Sequence, residues 1–460
     1  MLASDPQPEP LPEPDGPPDP ERGAWALGAA VEGVGAPGGR RAGLAVALAP
    51  FTYRRFALLW SGGLVSTVGS WMQTVAVGAL VVSRTGNATW AVLVAAGAFL
   101  PIGLLSPLGG SLADRLPRRA VLVSGNLADA AVAAVLALLV AHGDDGPGAL
   151  VLLVTIQGAV SALVNPFQAA ILPDLVPRSS FLAAASLNAA QFNLGRVIGP
   201  AVAGVAIAAF GYPVAFAANA VSFLAVVVAL AFVPLPRPSG RPESLRASLR
   251  AGLGAARRQT SCWAAISTIA VVALLASPFI ALVPVMARHV DPGSARTVGR
   301  ATAVLTTAQG LGAVVGALSL APLAAAFGRG RTLLVALGVL PVTLVLYALS
   351  TSLVAAAASL ALVGLVYLGT LSGLSTVVQL HAPAAFRGRI LSIYLVALGV
   401  AYPLGSLLQG PLVDRVGIAT TTAGSAAVLA LVMVVVGLRR PAVAVALARP
   451  QALPAAGSPG

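Results

Sequence analysis

Twelve long apolar runs, each of a length that spans a bilayer as a helix, dominate the chain. They lie at about 57–82, 89–112, 119–141, 148–171, 182–209, 212–233, 263–287, 298–326, 331–350, 353–380, 388–413 and 418–438. A helix rising about 1.5 Å per residue needs about 20 residues to cross about 30 Å of hydrocarbon. In lipid every backbone N–H and C=O must be satisfied within the protein, which leaves helices or closed barrels. The runs lack the alternation of barrel strands. The sequence therefore predicts an all-α membrane protein of twelve transmembrane helices.

Composition agrees. Only 9% of residues are charged and 57% are hydrophobic, against roughly a quarter charged in a soluble domain. The 49 Gly and 35 Pro suit membrane helices, where small residues allow close approach and neighbours shelter broken turns. Net charge is +13, and all 28 basic residues are Arg. That balance in a soluble chain points to nucleic acid. Here the arginines cluster between apolar runs, so nucleic-acid binding is excluded in favour of topology-setting loops. With both termini placed in the cytoplasm, 22 arginines fall on the inner side, five (Arg84, Arg288, Arg296, Arg300, Arg415) outside and one, Arg196, within a span. The expected location is the cell membrane, multi-pass, with the bilayer as a partner.

The runs organise the chain. Residues 1–50 form a Pro-rich acidic tail holding seven of the fifteen acids, a composition that cannot bury a core and is expected to be disordered. Residues 51–233 form a six-helix half and 263–440 a second one. Between them, 234–262 is a cytoplasmic linker, in which Leu245, Leu249 and Leu253 against Arg246, Arg250 and Arg257 predict an amphipathic helix at the inner surface. Residues 441–460 are a C-terminal tail. The halves read as pseudo-repeats: Gly199, Gly204, Gly211 and Pro177 map at one offset onto Gly405, Gly410, Gly417 and Pro383. Two parallel six-span halves are one way transporters are built.

Absences narrow the chemistry. A P-loop needs a lysine for the phosphates, and the chain has none, so a Walker-type ATPase on this polypeptide is excluded. One cysteine, Cys262, forms no internal disulfide. His142, His289 and His381 lie far apart and offer no metal-ligand spacing. No metal and no cofactor is expected.

The loop between the second and third spans reads Gly110-Ser111-Leu112-Ala113-Asp114-Arg115-Leu116-Pro117-Arg118-Arg119. It resembles the Gly-x-Leu-Ala-Asp-Arg-x-Gly-Arg-Arg element of the major facilitator superfamily, with Pro117 where Gly is usual. The resemblance implies that Gly110, Asp114, Arg115, Arg118 and Arg119 form a cytoplasmic gate, with charge-assisted bonds made in one state and broken in the other. The run Pro166, Pro173-Asp174-Leu175-Val176-Pro177, Ala185, Asn188 and Arg196-Val197-Ile198-Gly199-Pro200 with Gly204 is similar to the enterobactin-exporter-like and macrolide-efflux branch. Gln379, Pro383 and Phe386-Arg387-Gly388-Arg389 fit the same branch. It implies export by proton-coupled antiport and alternating access.

Other candidates come from the residues themselves. Asn188, Gln191, Gly195 and Gly199 share one face of the fifth span, a stripe that either lines a cavity or packs on a neighbour; Gly195, Gly199, Pro200 and Gly204 are helix-packing positions. Asp129 and Arg196 lie deep in the third and fifth spans, where charges are costly; they are a proton-responsive group or an ion pair. Gln73, Gln157 and Gln309 should face the interior, since a bare amide in hydrocarbon is unfavourable, and Trp71 and Tyr402 offer aromatic contact. The expected protein is a secondary transporter, a monomer, exporting a small organic molecule such as a drug, secondary metabolite or siderophore, with protons as the second partner. Import or facilitation on the same fold is the first rival. A membrane-embedded enzyme is the second, but no cluster of His, Asp, Glu, Cys or Lys supports one.

Overall fold

The computed structural model describes residues 46–113, 115–235 and 245–448. Of the tail expected to be disordered, residues 1–45 lie outside them, as do Asp114 and part of the linker; residues 46–50 are helical instead, leading into the 3-10 turn Ala49–Thr52 with Pro50 buried. The spans are α1 (Arg54–Thr85), α2 (Ala88–Ala113), α3 (Arg118–His142), α4 (Pro147–Leu175), α5 (Phe181–Phe210) and α6 (Tyr212–Ala231). After the linker helix α7 (Leu245–Arg258) come α8 (Thr260–Leu275) and α9 (Phe279–Val290), two pieces of one span. Then follow α10 (Ala295–Phe327), α11 (Arg329–Ala348), α12 (Leu353–His381), α13 (Arg387–Val416), α14 (Ile418–Arg439) and the short α15 (Pro441–Ala448). Twelve of these segments are long and apolar enough to cross a membrane, and no strand occurs among the described residues. The protein is an all-α, multi-pass membrane protein.

Local chemistry sets the breaks. The α8–α9 span, read from sequence as one helix, is interrupted because Pro278 cannot donate a backbone bond. Ser277 bridges the gap: its N–H donates to the Val272 carbonyl at 3.1 Å, and its hydroxyl meets the Tyr367 hydroxyl at 2.7 Å. Gly211 and Gly417 join α5 to α6 and α13 to α14 with no intervening loop. Both take positive φ, +85° and +86°, where a side chain would be strained.

The repeat is structural as well as sequential. Those two glycines are partners at an offset of 206 residues. At the same offset, a Cβ on Gly199 would press on the Val68 carbonyl of α1, and one on Gly405 on the Leu274 carbonyl of α8. Pro177 and Pro383 each introduce a three-residue 3-10 turn, Arg178–Ser180 and Ala384–Phe386. Each half thus packs its fifth span against its first through the same glycine.

Two further segments depart from the expected layout. The linker helix does more than lie at a surface: Ala256 is fully buried in the core of the second half, and Gly252 sits against Arg389 and Ile393 of α13. The tail from 441 begins as helix α15, held by a bond from the Ser261 hydroxyl to the Ala446 carbonyl at 2.9 Å.

The halves meet chiefly through α5 with α10 and α2 with α13. Twelve spans put Arg54 and Arg439 at one end of the bundle, called here the near end. At the far end the halves are bonded. Asp414 of α13 accepts from the Ala88 and Thr89 backbone N–H groups at 2.6 and 3.0 Å. Arg288 donates to the Val82 carbonyl at 3.0 Å, and Tyr212 to the Ala295 carbonyl at 2.6 Å. Close approaches continue inward through Gly410 on Val92 and Gly204 on Ala303, to Gly103 on Gly399 and Gly310 on Arg196 and Val197. Toward the near end, Gly312 and Gly316 of α10 turn instead to Ala361 and Leu365 of their own half. The close approaches between the halves thus run from the far end to mid-depth.

Candidate transport site

Where the seam ends, four side chains from four helices converge. Arg196 is near the middle of α5, with its guanidinium over the Trp71 ring of α1 at 5.8 Å. It lies within electrostatic range of Tyr367 on α12 and Tyr402 on α13. Tyr402 stacks edge-on against Phe99 of α2, ring centres 5.4 Å apart, closing the floor on the far side. Arg196 and Tyr402 are repeat partners at the offset of 206, at equivalent positions on the fifth span of each half. The Nε of Arg196 is buried without a partner.

Arg196 and Asp129 do not meet. Among the described residues ion pairs join Arg84 to Asp145, Arg118 to Asp174 and Arg300 to Asp291, and neither deep residue takes part. The reason is topological: α3 packs on α4 and α6 rather than on α5. Asp129 is buried, with Oδ1 unpartnered.

The amides divide. Gln73 belongs to a chain inside the first half. Asn219 of α6 donates to its Oε1 at 2.7 Å, and its own Nε2 donates to Gln157 of α4 at 2.5 Å. Ser222 donates to Asn219 Oδ1 at 2.9 Å. Gln73 therefore ties three helices of the first half together. Gln309 is buried with its Nε2 unpartnered, beneath Gly364 of α12. Asn188 and Gln191 line a recess of about 130 Å³ within the first half, with Trp60, Ser66, Thr67 and Gln168. Gln191 also donates to the Trp60 carbonyl, and Trp60 Nε1 to the Leu187 carbonyl. The stripe on α5 thus does both things open to it: Gly195 and Gly199 pack on Thr67 and Trp71, while the polar pair borders space. Pro200 is buried beside them and Gly204 lies on the inter-half seam.

The loop motif is placed in part. Arg118 donates to Asp174 at 2.7 Å and to the Ala170 carbonyl at 3.2 Å. Arg119 donates to the Ala231 carbonyl, the last residue of α6, at 3.1 Å. Both hold their own half together here. Arg115 is exposed. A Cβ on Gly110 would meet nothing, whereas one on Gly109 would collide with the Ala162 and Leu163 carbonyls; the close-packed glycine is the neighbour of the motif's own.

The far-end residues went unread in the sequence, although a signal was present. Gly410-Pro411-Leu412-Val413-Asp414-Arg415 has the Gly-x-Leu-x-Asp-Arg pattern of Gly110 to Arg115, on the partner helix and at the opposite end. Asn219 and Tyr367 were also missed, being lone polar groups in apolar runs.

Comparison with known proteins places the site in a family. A family model described as transmembrane secretion effector, of the major facilitator type, matches residues 45–452. The multidrug efflux pump Tap of Mycobacterium tuberculosis is 29% identical over 371 residues, covering 78% of this chain and 87% of Tap. The staphyloferrin A transporter of Staphylococcus aureus is 26% identical over 369 residues, covering 79% and 90%. The nucleoside transporter NupG superposes with a TM-score of 0.69 at 14% identity, over 83% of this chain and 99% of its own, which speaks to the fold. The family and these relatives are transporters and not enzymes. The chain belongs to the transmembrane secretion effector family of the major facilitator superfamily.

Proposed function

We propose that this protein exports a small amphipathic organic molecule from the cytosol across the cell membrane, by alternating access and in exchange for protons. One observation carries the reading: bonds and close approaches between the halves run from the far end to the depth of Arg196, Trp71 and Tyr402, and nearer the other end Gly312 and Gly316 face their own half, so in this reading the near end is the open one. The near end is the arginine-rich one, which the positive-inside rule assigns to the cytosol. The cavity then faces its cargo's source, and both termini are cytoplasmic. The efflux relatives support this direction, one bearing a drug-pump name and one a siderophore name.

Energy comes from the proton gradient in this reading, with Asp129 as the responding carboxyl. It is the acid at mid-depth in the spans; Asp174 and Asp414 lie near helix ends. Its place on α3, which packs on α4 and α6, keeps the proton site apart from the cargo site in this reading. The test uses inverted vesicles and a panel of labelled antibiotics and siderophores. Accumulation that a protonophore abolishes is the expected result. Asp129→Asn should lose uphill accumulation while retaining cargo exchange at zero gradient. Loading of right-side-out vesicles alone would reverse the assigned direction, and full gradient-driven export by Asp129→Asn would remove the carboxyl from the coupling.

A further inference from the structure

We infer that the mid-membrane apex is an anion site, and that the cargo carries a carboxylate or comparable anionic group bound by Arg196. This deepens the export reading and rests on the inter-half cavity being the cargo's path. Arg196 has no hydrogen-bond or ion-pair partner among the described residues, Nε is fully buried, and its guanidinium lies over the Trp71 ring. A guanidinium presents five donors and keeps its charge. Leaving it unpaired at mid-depth is costly, and intramembrane charges mark ligand paths by default. The acid nearest in depth, Asp129, is on a helix that packs on α4 and α6, and no carboxylate among the described residues pairs with Arg196.

The surroundings suit an amphipathic anion. Trp71 and Phe99 supply flat apolar surface, and Trp71 also packs edge-on against Phe192. Tyr367 and Tyr402 bring hydroxyls from the other half into range of the same charge. The Tyr367 hydroxyl is held by Ser277 at the break between α8 and α9. An anion seated on Arg196 would therefore lie beside Trp71 of the first half, at the depth where the close approaches between the halves end. It would cancel the repulsion that a dehydrated cation meets when the near end closes. A single cation with aromatic walls selects one anionic group on an otherwise apolar molecule.

Calorimetry with purified full-length protein in neutral detergent tests this, using 2-naphthoate and its neutral isostere 2-naphthamide as probes. Naphthoate is expected to bind about 10-fold tighter or better, the factor that charge-assisted hydrogen bonds supply. Arg196→Gln should reduce that preference to about 2-fold or less, and Arg196→Lys should retain part of it. Should Arg196→Gln fail to fold, the naphthoate to naphthamide ratio in the wild type and in Arg196→Lys decides. Equal affinity for the two probes, absence of binding by either, or a preference that survives Arg196→Gln overturns the proposal. So does displacement of naphthoate by added phosphatidylglycerol, which would assign the site to a lipid headgroup. Binding in detergent needs neither gradient nor direction. Its failure leaves the export reading standing, and failed vesicle loading leaves the anion site standing.

Discussion

At the scale of single residues, the polar groups of the spans separate into ties and site. Gln73 is a tie. It is buried, and it joins α1 to α4 and α6 through Gln157 and Asn219. Interhelical bonds in membranes contribute about 0.6 kcal/mol each, up to about 1.7, and a stranded amide costs more than its bond was worth. Gln73→Leu should therefore lower stability by about 1–3 kcal/mol, read as an earlier thermal unfolding transition in detergent. The same variant should keep the naphthoate preference, because Gln73 does not reach Arg196. Loss of that preference without loss of stability would show that the amide chain belongs to the cargo site. The sequence made Gln73, Arg196 and Tyr402 visible as polar exceptions in apolar runs, but it could not say which exceptions meet. Pairing depends on which helices are neighbours, and a membrane helix that is apolar all round carries little record of its orientation. Asp129 and Arg196 illustrate this: both are deep and opposite in charge, yet α3 packs on α4 and α6 while α5 packs on α1 and α10.

At the scale of elements, the span boundaries were legible to within a few residues, because hydrocarbon thickness and loop charge leave strong marks. The break at Ser277 and Pro278 was less so, since proline is tolerated inside other spans here, such as Pro101, Pro200 and Pro403. What distinguishes Pro278 is the Ser277 hydroxyl bridge to α12, a tertiary contact. The most consequential element-scale feature is the far-end latch. Asp414 caps the N-terminus of α2, and Arg288 sits on the last carbonyls of α1. Each charge meets the helix end of opposite partial charge. The Asp414 carboxylate also accepts from the Thr89 hydroxyl. Because these bonds cross between halves, they exist only while the far end is closed. Asp414→Asn should shift the balance toward the far-open state by about 1 kcal/mol, roughly 5-fold in population. Spin-label distances across the far end would report it as growth of a longer-distance component. An unchanged distribution would mean that the glycine approaches along α2 and α13 hold the seam without the carboxylate.

At the scale of the whole molecule, the two halves are one design used twice. Gly199 on Val68 is repeated by Gly405 on Leu274, and Gly211 by Gly417. The inter-half seam follows the same rule: Gly204 of α5 lies on Ala303 of α10, and its partner Gly410 of α13 lies on Val92 of α2. Near-rigid halves joined along two equivalent seams rock about the depth where the seams end. A lock placed on one seam should thus stop the cycle without disturbing the site at its end. A Cβ on Gly204 would stand 2.9 Å from the Ala303 Cβ, near the separation of about 3.5–4.5 Å that a disulfide needs after slight relaxation. The chain's single cysteine, Cys262, is removed first as Cys262→Ser. Gly204→Cys with Ala303→Cys on that background should oxidise to a disulfide that holds the far end shut. Vesicle accumulation is then lost and returns on reduction, while the naphthoate preference over naphthamide persists in both forms, because Arg196 lies at the mouth of the locked seam on its open side. Transport that continues through the oxidised protein would mean that the seam between α5 and α10 need not open for cargo to pass, and the rocking of rigid halves would have to be abandoned.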